Sequence, residues 1–293
     1  MLSKNIKFKN FNHKPINKKL KKYFSEILNK DDEILKSLTP NYKYQYSKKL
    51  VQKFKKNKVL KIIGMGGSIL GIRAIHDYLK HKIKKESLFF DNIESNLKNK
   101  KKGTNLIISK SGNTLETIVN SNIIIKRNEK NIFITESRES YLRLLALKIK
   151  AEIINHNNFI GGRYSVLSEV GMLPAELMGL DASKFKQLNN LIKNKNFINS
   201  LIINVSSTIS FIKNKKFNSV ILNYDSSANN LFSWYQQLIA ESLGKKGKGI
   251  LPIISSMPKD NHSLMQLYLD GPKNNFFTFF YTKEKNNLTL NNN

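Results

Sequence analysis

The chain has 293 residues, no cysteine and a formal net charge of +29, from 50 basic and 21 acidic residues. The lack of cysteine excludes disulfides and thiolate metal sites, and a hydrophobic fraction of 40% is too high for an intrinsically disordered chain. Because no apolar run approaches the roughly 18 residues that cross a bilayer and no signal peptide is visible, we expect a cytoplasmic protein without a membrane partner.

The positive charge does not by itself predict nucleic-acid binding. Lysine is spread through nearly every segment, whereas arginine is confined to positions 73, 127, 138, 143 and 163. Proteins that read nucleic acids use arginine for bidentate contacts and aromatic side chains for stacking. We therefore expect no specific nucleic-acid partner, only weak salt-sensitive binding, and a field that draws anionic substrates towards the protein.

Residues 1–57 are rich in lysine and are predicted to be helical, since apolar side chains recur there at helical spacing. From 58 to 156, short apolar runs alternate with amphipathic segments. The predicted strands begin near Val59, Leu88, Leu106, Ile132 and Ile153. Strand–helix alternation with short loops favours a parallel sheet with helices on both faces, which would be the first of two α/β units.

Residues 157–215 are predicted to form a helical connection, and a second α/β unit is predicted over 216–293. Its strands are expected near 219–222, 250–254 and 276–281. Three strands make a thin sheet. We therefore interpret the second unit as incomplete, with an unpaired edge and exposed apolar surface.

The most informative motif is the run 109–116 (SKSGNTLE), which joins a predicted strand to a predicted helix. Backbone N–H groups and the positive end of a helix dipole meet at such a junction and attract anions. The hydroxyls of Ser109, Ser111 and Thr114, together with Lys110, make this loop a candidate phosphate cradle, although P-loop spacing is absent. A serine-capped helix after an ordinary turn is the alternative.

A second loop, 64–68 (GMGGS), also follows a predicted strand. Ligands of parallel sheets bind at the carboxyl ends of strands, so both loops are expected to face one crevice. Ile69 occupies the third glycine position of a dinucleotide fingerprint, and we reject a nucleotide-binding loop on that ground. Ser68 is instead a candidate contact for a sugar hydroxyl or a phosphate, and a glycine-rich turn with a serine cap is the alternative.

Three further residues are candidates for chemistry. Arg163 follows two glycines between the units, where a cleft is expected, and a surface arginine without a specific role is the alternative. Glu241 borders the apolar stripe of a predicted helix, which suits a carboxylate that transfers protons, and a solvated glutamate is the alternative. His262 is one of five histidines, for which a structural or exposed role is the alternative. No metal-ligand spacing accompanies these residues.

Five segments, taken in order, resemble the phosphoglucose isomerase family of the sugar-isomerase (SIS) fold. They are 64–71 (GMGGSILG), 109–116 (SKSGNTLE), 161–168 (GGRYSVLS), 237–245 (QLIAESLGK) and 262–272 (HSLMQLYLDGP). The resemblance implies an α/β protein of two SIS-type αβα units with parallel sheets, the second incomplete.

The resemblance also implies a reaction. Family members interconvert glucose 6-phosphate and fructose 6-phosphate through a cis-enediolate, without a metal or an organic cofactor. His262, supplied by the neighbouring subunit of a homodimer, would assist ring opening. Glu241 would move the proton from C2 to C1, and Arg163 would stabilise the enediolate. The residues that would hold the phosphate are Ser109, Lys110, Ser111, Thr114 and Ser68.

Family members continue beyond the matched segments. Their further part supplies a lysine and a glutamine to the site and clasps the partner subunit, and nothing in residues 281–293 resembles it. Three interpretations stay open: a piece of a longer product, which we favour; a shortened active enzyme; and a non-catalytic module that binds sugar phosphates.

Overall fold

The computed structural model of the chain describes residues 6–7, 17–93, 101–126 and 128–283. The other residues, among them Arg127 and the ends of the expected segments 1–57 and 216–293, lie outside the described part. The strands there are β1 (Val59–Gly64), β2 (Glu86–Phe90), β3 (Thr104–Ile108), β4 (Lys130–Thr135), β5 (Glu152–Asn155), β6 (Asn218–Asn223), β7 (Leu251–Ser256) and β8 (Asn275–Phe280). The helices are α1 (Lys18–Leu28), α2 (Glu33–Ser37), α3 (Lys48–Lys55), α4 (Leu70–Tyr78), α5 (Leu115–Ile124), α6 (Tyr141–Lys148), α7 (Glu169–Leu177), α8 (Ala182–Lys186), α9 (Lys195–Lys213), α10 (Asn229–Leu243) and α11 (Met265–Asp270).

The strands form two parallel sheets. The first has the order β2-β1-β3-β4-β5 and the second the order β7-β6-β8, and every neighbouring pair is parallel. The predicted α/β architecture, with parallel sheets and a smaller second one, is confirmed. Because all strands of a sheet run the same way, the loops that follow them lie along one edge.

The central strands of the first sheet are buried on both faces. Leu106 and Ile108 of β3 pack into a cluster with α7, whereas Ile107 packs against α5 and α6. Successive side chains of a strand point to opposite faces. Two-sided burial therefore explains why these strands are continuous apolar runs in the sequence, and it makes the carboxyl ends of β1 and β3 a rigid edge.

One charged pair interrupts this apolar core. Lys61 of β1 is fully buried, and its ammonium lies 2.8 Å from Oε1 of Glu129. Asn105 donates to the other carboxylate oxygen at 2.9 Å. Burial tends to raise the pKa of Glu129, but the contacts with Lys61 and Asn105 outweigh it and lower that pKa. The lysine is tolerated in a central strand because its charge is paired.

The two sheets are joined through a helix of each. α10, which follows β6, packs against α4, which follows β1, and the Asn230 side chain donates to Asp77. This contact brings α10 beside the loop that follows β1. The edge strands of the second sheet expose Leu251 and Phe279, at 58% and 66%.

Candidate active site

Two loops that the sequence singled out are neighbours at the carboxyl edge of the first sheet. Gly64, the last residue of β1, is in register with Ile108, the last residue of β3. A Cβ added to Gly64 would lie 3.0 Å from the Ile108 carbonyl oxygen and 3.3 Å from Cβ of Ser68. Ser68 therefore lies over the ends of both strands, next to the loop that begins at Ser109.

The loop 109–114 has a fixed, compact shape. Oγ of Ser109 is 3.0 Å from Oγ1 of Thr114 and accepts a hydrogen bond from the Gly112 N–H at 3.2 Å. Gly112 has a φ of +66°, and a Cβ there would lie 2.1 Å from Oγ of Ser140. Only glycine fits both requirements. The loop can therefore hold its hydroxyls together at the start of α5.

The first turn of α5 is open to an anion. Thr114 is its N-cap residue, and no side chain of the described residues caps the helix there. The same holds for Ile69 at the start of α4. The alternative of hydroxyl-capped helices after these loops is therefore not what the structure shows. Free N–H groups of the first turn and the positive end of the helix dipole are therefore left at the carboxyl edge of the sheet.

Lys110 is oriented by its own partners. Its ammonium donates to the carbonyl oxygen of Asn158 at 2.7 Å and lies 3.5 Å from Oε1 of Glu136. The loop after β3 is thus tied to the loop after β5. The side chain of Ser111, the next residue, accepts from the Asn113 N–H at 3.2 Å.

The loop after β1 touches the turn that carries Arg163. A Cβ on Gly67 would lie 2.3 Å from the carbonyl carbon of Gly162, which shows how closely the two backbones approach. Ser165 fixes the turn by donating to the Gly162 carbonyl oxygen at 2.7 Å. The two glycine-rich segments, about 100 residues apart in sequence, therefore form one wall of the crevice.

The side chain of Arg163 is held on several sides. Nη1 donates to Oε1 of Glu241 at 2.7 Å, and Nε donates to Oγ of Ser242 at 2.8 Å. The guanidinium carbon lies 4.5 Å from the ring centroid of Tyr164. Nε1 of Trp234 donates to the Arg163 carbonyl oxygen at 3.0 Å. The Arg163 side chain is only 15% exposed, so the alternative of a loose surface arginine does not apply.

Glu241 is more exposed than the sequence led us to expect. Its side chain is 53% exposed, and its partner is the guanidinium of Arg163. The carboxylate is therefore open to solvent on the side that does not contact Arg163. Gln237 lies one turn earlier on the same face of α10, and its amide nitrogen lies 2.9 Å from where a Cβ on Gly66 would be.

Tyr164 and Ser242 complete the surroundings of Arg163. Their hydroxyl oxygens are 2.8 Å apart. Burial tends to raise the pKa of Tyr164, but the hydrogen bond with Ser242 and the nearby guanidinium outweigh it and lower that pKa. The positive charge of Arg163 therefore acts on the phenol as well as on the carboxylate.

His262 is not in hydrogen-bond contact with this group. It follows a short turn after β7 and is exposed, and its imidazole makes no hydrogen bond or ion pair with any described residue. The structure thus places Ser68, Ser109, Lys110, Ser111 and Thr114 at one edge and joins Arg163 to Glu241. Among the described residues, no hydrogen bond or ion pair joins His262 to either group. Within the described ranges, no group of three His, Asp or Glu residues has the geometry of a metal site.

Sequence reasoning did not single out Gln237, Ser242 or Trp234 as site residues. A signal existed for the first two, because Ser242 adjoins Glu241 and Gln237 is four residues before it, on the same helical face. No signal in the sequence marked Trp234, whose role depends on the backbone of a distant turn.

Comparisons with known proteins identify the family of the chain. Residues 6–250 match the family model described as phosphoglucose isomerase. A glucose-6-phosphate isomerase from Methanocaldococcus jannaschii is 38% identical over 247 residues, covering 76% of this chain and 60% of the relative. One from Mycoplasma capricolum is 33% identical, covering 83% of this chain and 63% of the relative. The chain thus spans about three-fifths of the length of these relatives.

Solved structures share the fold at lower identity. A hypothetical protein from Thermus thermophilus has a TM-score of 0.70 at 20% identity, covering 89% of this chain and 69% of its own. Tagatose-6-phosphate ketose/aldose isomerase from Escherichia coli has a TM-score of 0.54 at 12% identity, covering 79% and 66%. In the described part of this chain, no helix is both long enough and apolar enough to cross a membrane.

The close backbone approach at Gly67 generates a test with a matched control. We expect Gly67→Ala to lower the free energy of unfolding by roughly 1–3 kcal/mol, because the added methyl group overlaps the Gly162 backbone. Gly162→Ala should change it by no more than about 0.5 kcal/mol, since its Cβ comes no closer than 3.7 Å to Gly67. Urea unfolding followed by fluorescence of Trp234, the single tryptophan, measures both. Equal stability of the two variants would contradict the close contact.

Proposed function

Because the chain belongs to the phosphoglucose isomerase family, we propose that it acts as an aldose–ketose isomerase that interconverts glucose 6-phosphate and fructose 6-phosphate. The observation that carries this proposal is the Arg163–Glu241 pair, with 2.7 Å between Nη1 and Oε1, in a crevice that begins at an uncapped helix N-terminus. A base and a cation side by side suit proton transfer at a carbon next to a carbonyl group.

The phosphate is proposed to bind at the start of α5. The hydroxyls of Ser109, Ser111 and Thr114 and the free N–H groups of the first turn would surround its oxygens. Lys110 would add a positive charge, and Ser68 would contact the phosphate or a sugar hydroxyl from the neighbouring loop. Binding energy at this remote group fixes the position of the reacting carbons.

Proton transfer is proposed to run through Glu241. Its carboxylate would take the proton from C2 of the open-chain aldose and return it to C1. When the carboxylate becomes neutral, the negative charge moves to the oxygen of the cis-enediolate. The guanidinium of Arg163, held by Ser242 at 2.8 Å, would then stabilise that oxygen. The net charge of the site does not change during this step.

The partner and the compartment are part of the same proposal. We propose a homodimer, because the exposed imidazole of His262 has no partner among the described residues of its own chain and would reach the site of a second subunit to assist ring opening. A cysteine-free chain suits the reducing cytoplasm. The chemistry requires proton transfer only, without a metal or an organic cofactor.

Replacing the proposed base tests the reaction. We expect Glu241→Gln to lower kcat for fructose 6-phosphate by roughly 10²–10⁴-fold, because the amide cannot accept the proton. Glucose 6-phosphate formation is followed through a glucose-6-phosphate dehydrogenase coupling step. Glu26→Gln on α1 is the matched control, since the Glu26 side chain is also 53% exposed, and its rate should equal that of the wild type.

The wild-type chain decides between the two functional interpretations. A folded wild-type chain that shows no turnover would contradict isomerase activity of these 293 residues and leave either a piece of a longer isomerase or a non-catalytic module. If calorimetry then showed that it binds fructose 6-phosphate, the non-catalytic sugar-phosphate module would be the correct interpretation.

The shared site is tested by mixing two inactive variants. Glu241→Gln and His262→Gln homodimers should each be nearly inactive. Co-expression of the two should restore turnover, because one site of each heterodimer combines an intact Glu241 with an intact His262 from the other subunit. Sedimentation of differently tagged chains shows whether heterodimers form. Heterodimers without recovered turnover would contradict a site built from two subunits.

A further inference from the structure

A buried polar cluster lies beneath the turn that carries Arg163, and the proposed chemistry does not use it. His156, Glu169 and Lys186 are 3%, 0% and 5% exposed. Charged groups this deep in a protein are costly unless each has partners. The question is what this cluster holds in place.

The contacts of His156 determine its protonation. Nδ1 lies 3.1 Å from Oε1 of Glu169, and Nε2 lies 3.0 Å from the carbonyl oxygen of Ile160. A carboxylate and a carbonyl oxygen both accept hydrogen bonds, whereas a neutral imidazole donates from only one nitrogen. Both ring nitrogens must therefore carry a proton when Glu169 is ionised.

Glu169 is surrounded by donors. Oε1 accepts from the Asn157 N–H at 3.0 Å as well as from His156, and Oε2 accepts from the Tyr42 hydroxyl at 2.9 Å. Burial tends to raise the pKa of Glu169, but the hydrogen bonds from His156 and Asn157 outweigh it and lower that pKa. A protonated Glu169 paired with a neutral imidazole would weaken these contacts, so the ion pair is favoured.

The other charged groups around the pair come from different elements. Lys186 of α8 donates to the carbonyl oxygens of Ser37 and Leu167, and burial lowers its pKa to about 8 although Glu169 opposes this. Glu33 of α2 accepts from the Asn157 side chain at 2.9 Å. The pair is therefore enclosed by α2, α7 and α8 and by the residues that follow β5.

These contacts control the loop 156–160. The imidazole of His156 is hydrogen-bonded to the carbonyl oxygen of Ile160, which closes the loop. The carboxylate of Glu169 accepts from the N–H of Asn157 within the loop. The carbonyl oxygen of Asn158, at the middle of the loop, accepts from the ammonium of Lys110 at 2.7 Å. The next residues are the glycines that precede Arg163. The loop therefore links the buried pair both to the proposed phosphate site and to the proposed catalytic arginine.

We propose that His156 and Glu169 form a buried imidazolium–carboxylate pair that positions Lys110 and Arg163 through the loop 156–160. Neither residue touches the substrate, so both are positioning residues. The protonation of His156 and the geometry of the loop do not depend on which reaction the protein catalyses. The effect on sugar-phosphate binding rests on the proposed function.

The protonation is tested directly by NMR at neutral pH. Nitrogen-15 spectra of the histidine rings, with His156 assigned by its absence in His156→Gln, should show both ring nitrogens protonated in the wild type. In Glu169→Gln the imidazole should become neutral, because an uncharged amide no longer stabilises the imidazolium. A neutral His156 in the wild type would overturn the proposal, and this measurement needs no enzymatic activity.

The positioning role is tested by binding of inorganic phosphate and of fructose 6-phosphate, measured by calorimetry. Glu169→Leu should weaken both on the order of tenfold, the effect of about one charge-assisted hydrogen bond. Glu169→Gln should weaken binding less than Glu169→Leu does, because its amide oxygen can still accept from the Asn157 N–H. Tyr42→Phe, which removes the contact to the other carboxylate oxygen, is the control and should bind as the wild type.

The outcomes of these binding experiments separate the two claims. Unchanged phosphate binding by folded Glu169→Leu would overturn the positioning role. If that variant does not fold, His156→Gln is used in its place and should show the same loss of phosphate affinity. Its amide cannot replace both hydrogen bonds of the imidazole, to Glu169 and to Ile160. A wild type that binds inorganic phosphate but not fructose 6-phosphate would contradict the proposed function and leave the pair intact.

Discussion

The interaction on which the site depends is the anchoring of Arg163 between the two units. Its guanidinium contacts Glu241 and Ser242 of α10 at 2.7 and 2.8 Å, while its backbone accepts from Trp234 and belongs to the turn packed on Gly67. These contacts add to the packing of α10 on α4 and hold the Arg163 turn beside the helix of the second unit. The cation and the carboxylate are held together before any ligand arrives, which reduces the reorganisation that a reaction requires.

In the proposed site, substrate binding and proton transfer take place at different ends. At one end, loops after β1 and β3 offer hydroxyls and the free N–H groups of α5. At the other end, Arg163 and Glu241 face each other. The proposed positioning pair, His156 and Glu169, lies beneath both and holds the segment between them. Binding energy gained at the phosphate end can in this way act on the carbons at the other end, and the strong positive charge of the chain favours arrival of an anionic sugar.

Local features of the chain were predictable because local patterns determine them. Apolar runs such as 106–108 predicted buried parallel strands, and glycine–hydroxyl loops after them predicted the edge at which the site lies. Individual side-chain contacts between distant segments were not predictable. The Arg163–Ser242 bond joins residues 79 apart, and Lys61 is buried in a strand only because Glu129 pairs with it 68 residues later. The 53% exposure of Glu241 also followed from packing that no helical pattern contains.

The central claim is that the loops after β1 and β3 and helix α10 form a single site. One sugar phosphate would be bound there both at its phosphate and at its reacting carbons. A crystal structure of the protein with fructose 6-phosphate tests this directly. We expect the phosphate at the first turn of α5, within hydrogen-bond distance of Ser109 or Thr114. We expect the C1–C2 bond of the sugar to lie between Arg163 and Glu241. A phosphate bound elsewhere, or a sugar whose C1 and C2 lie away from Glu241, would contradict it.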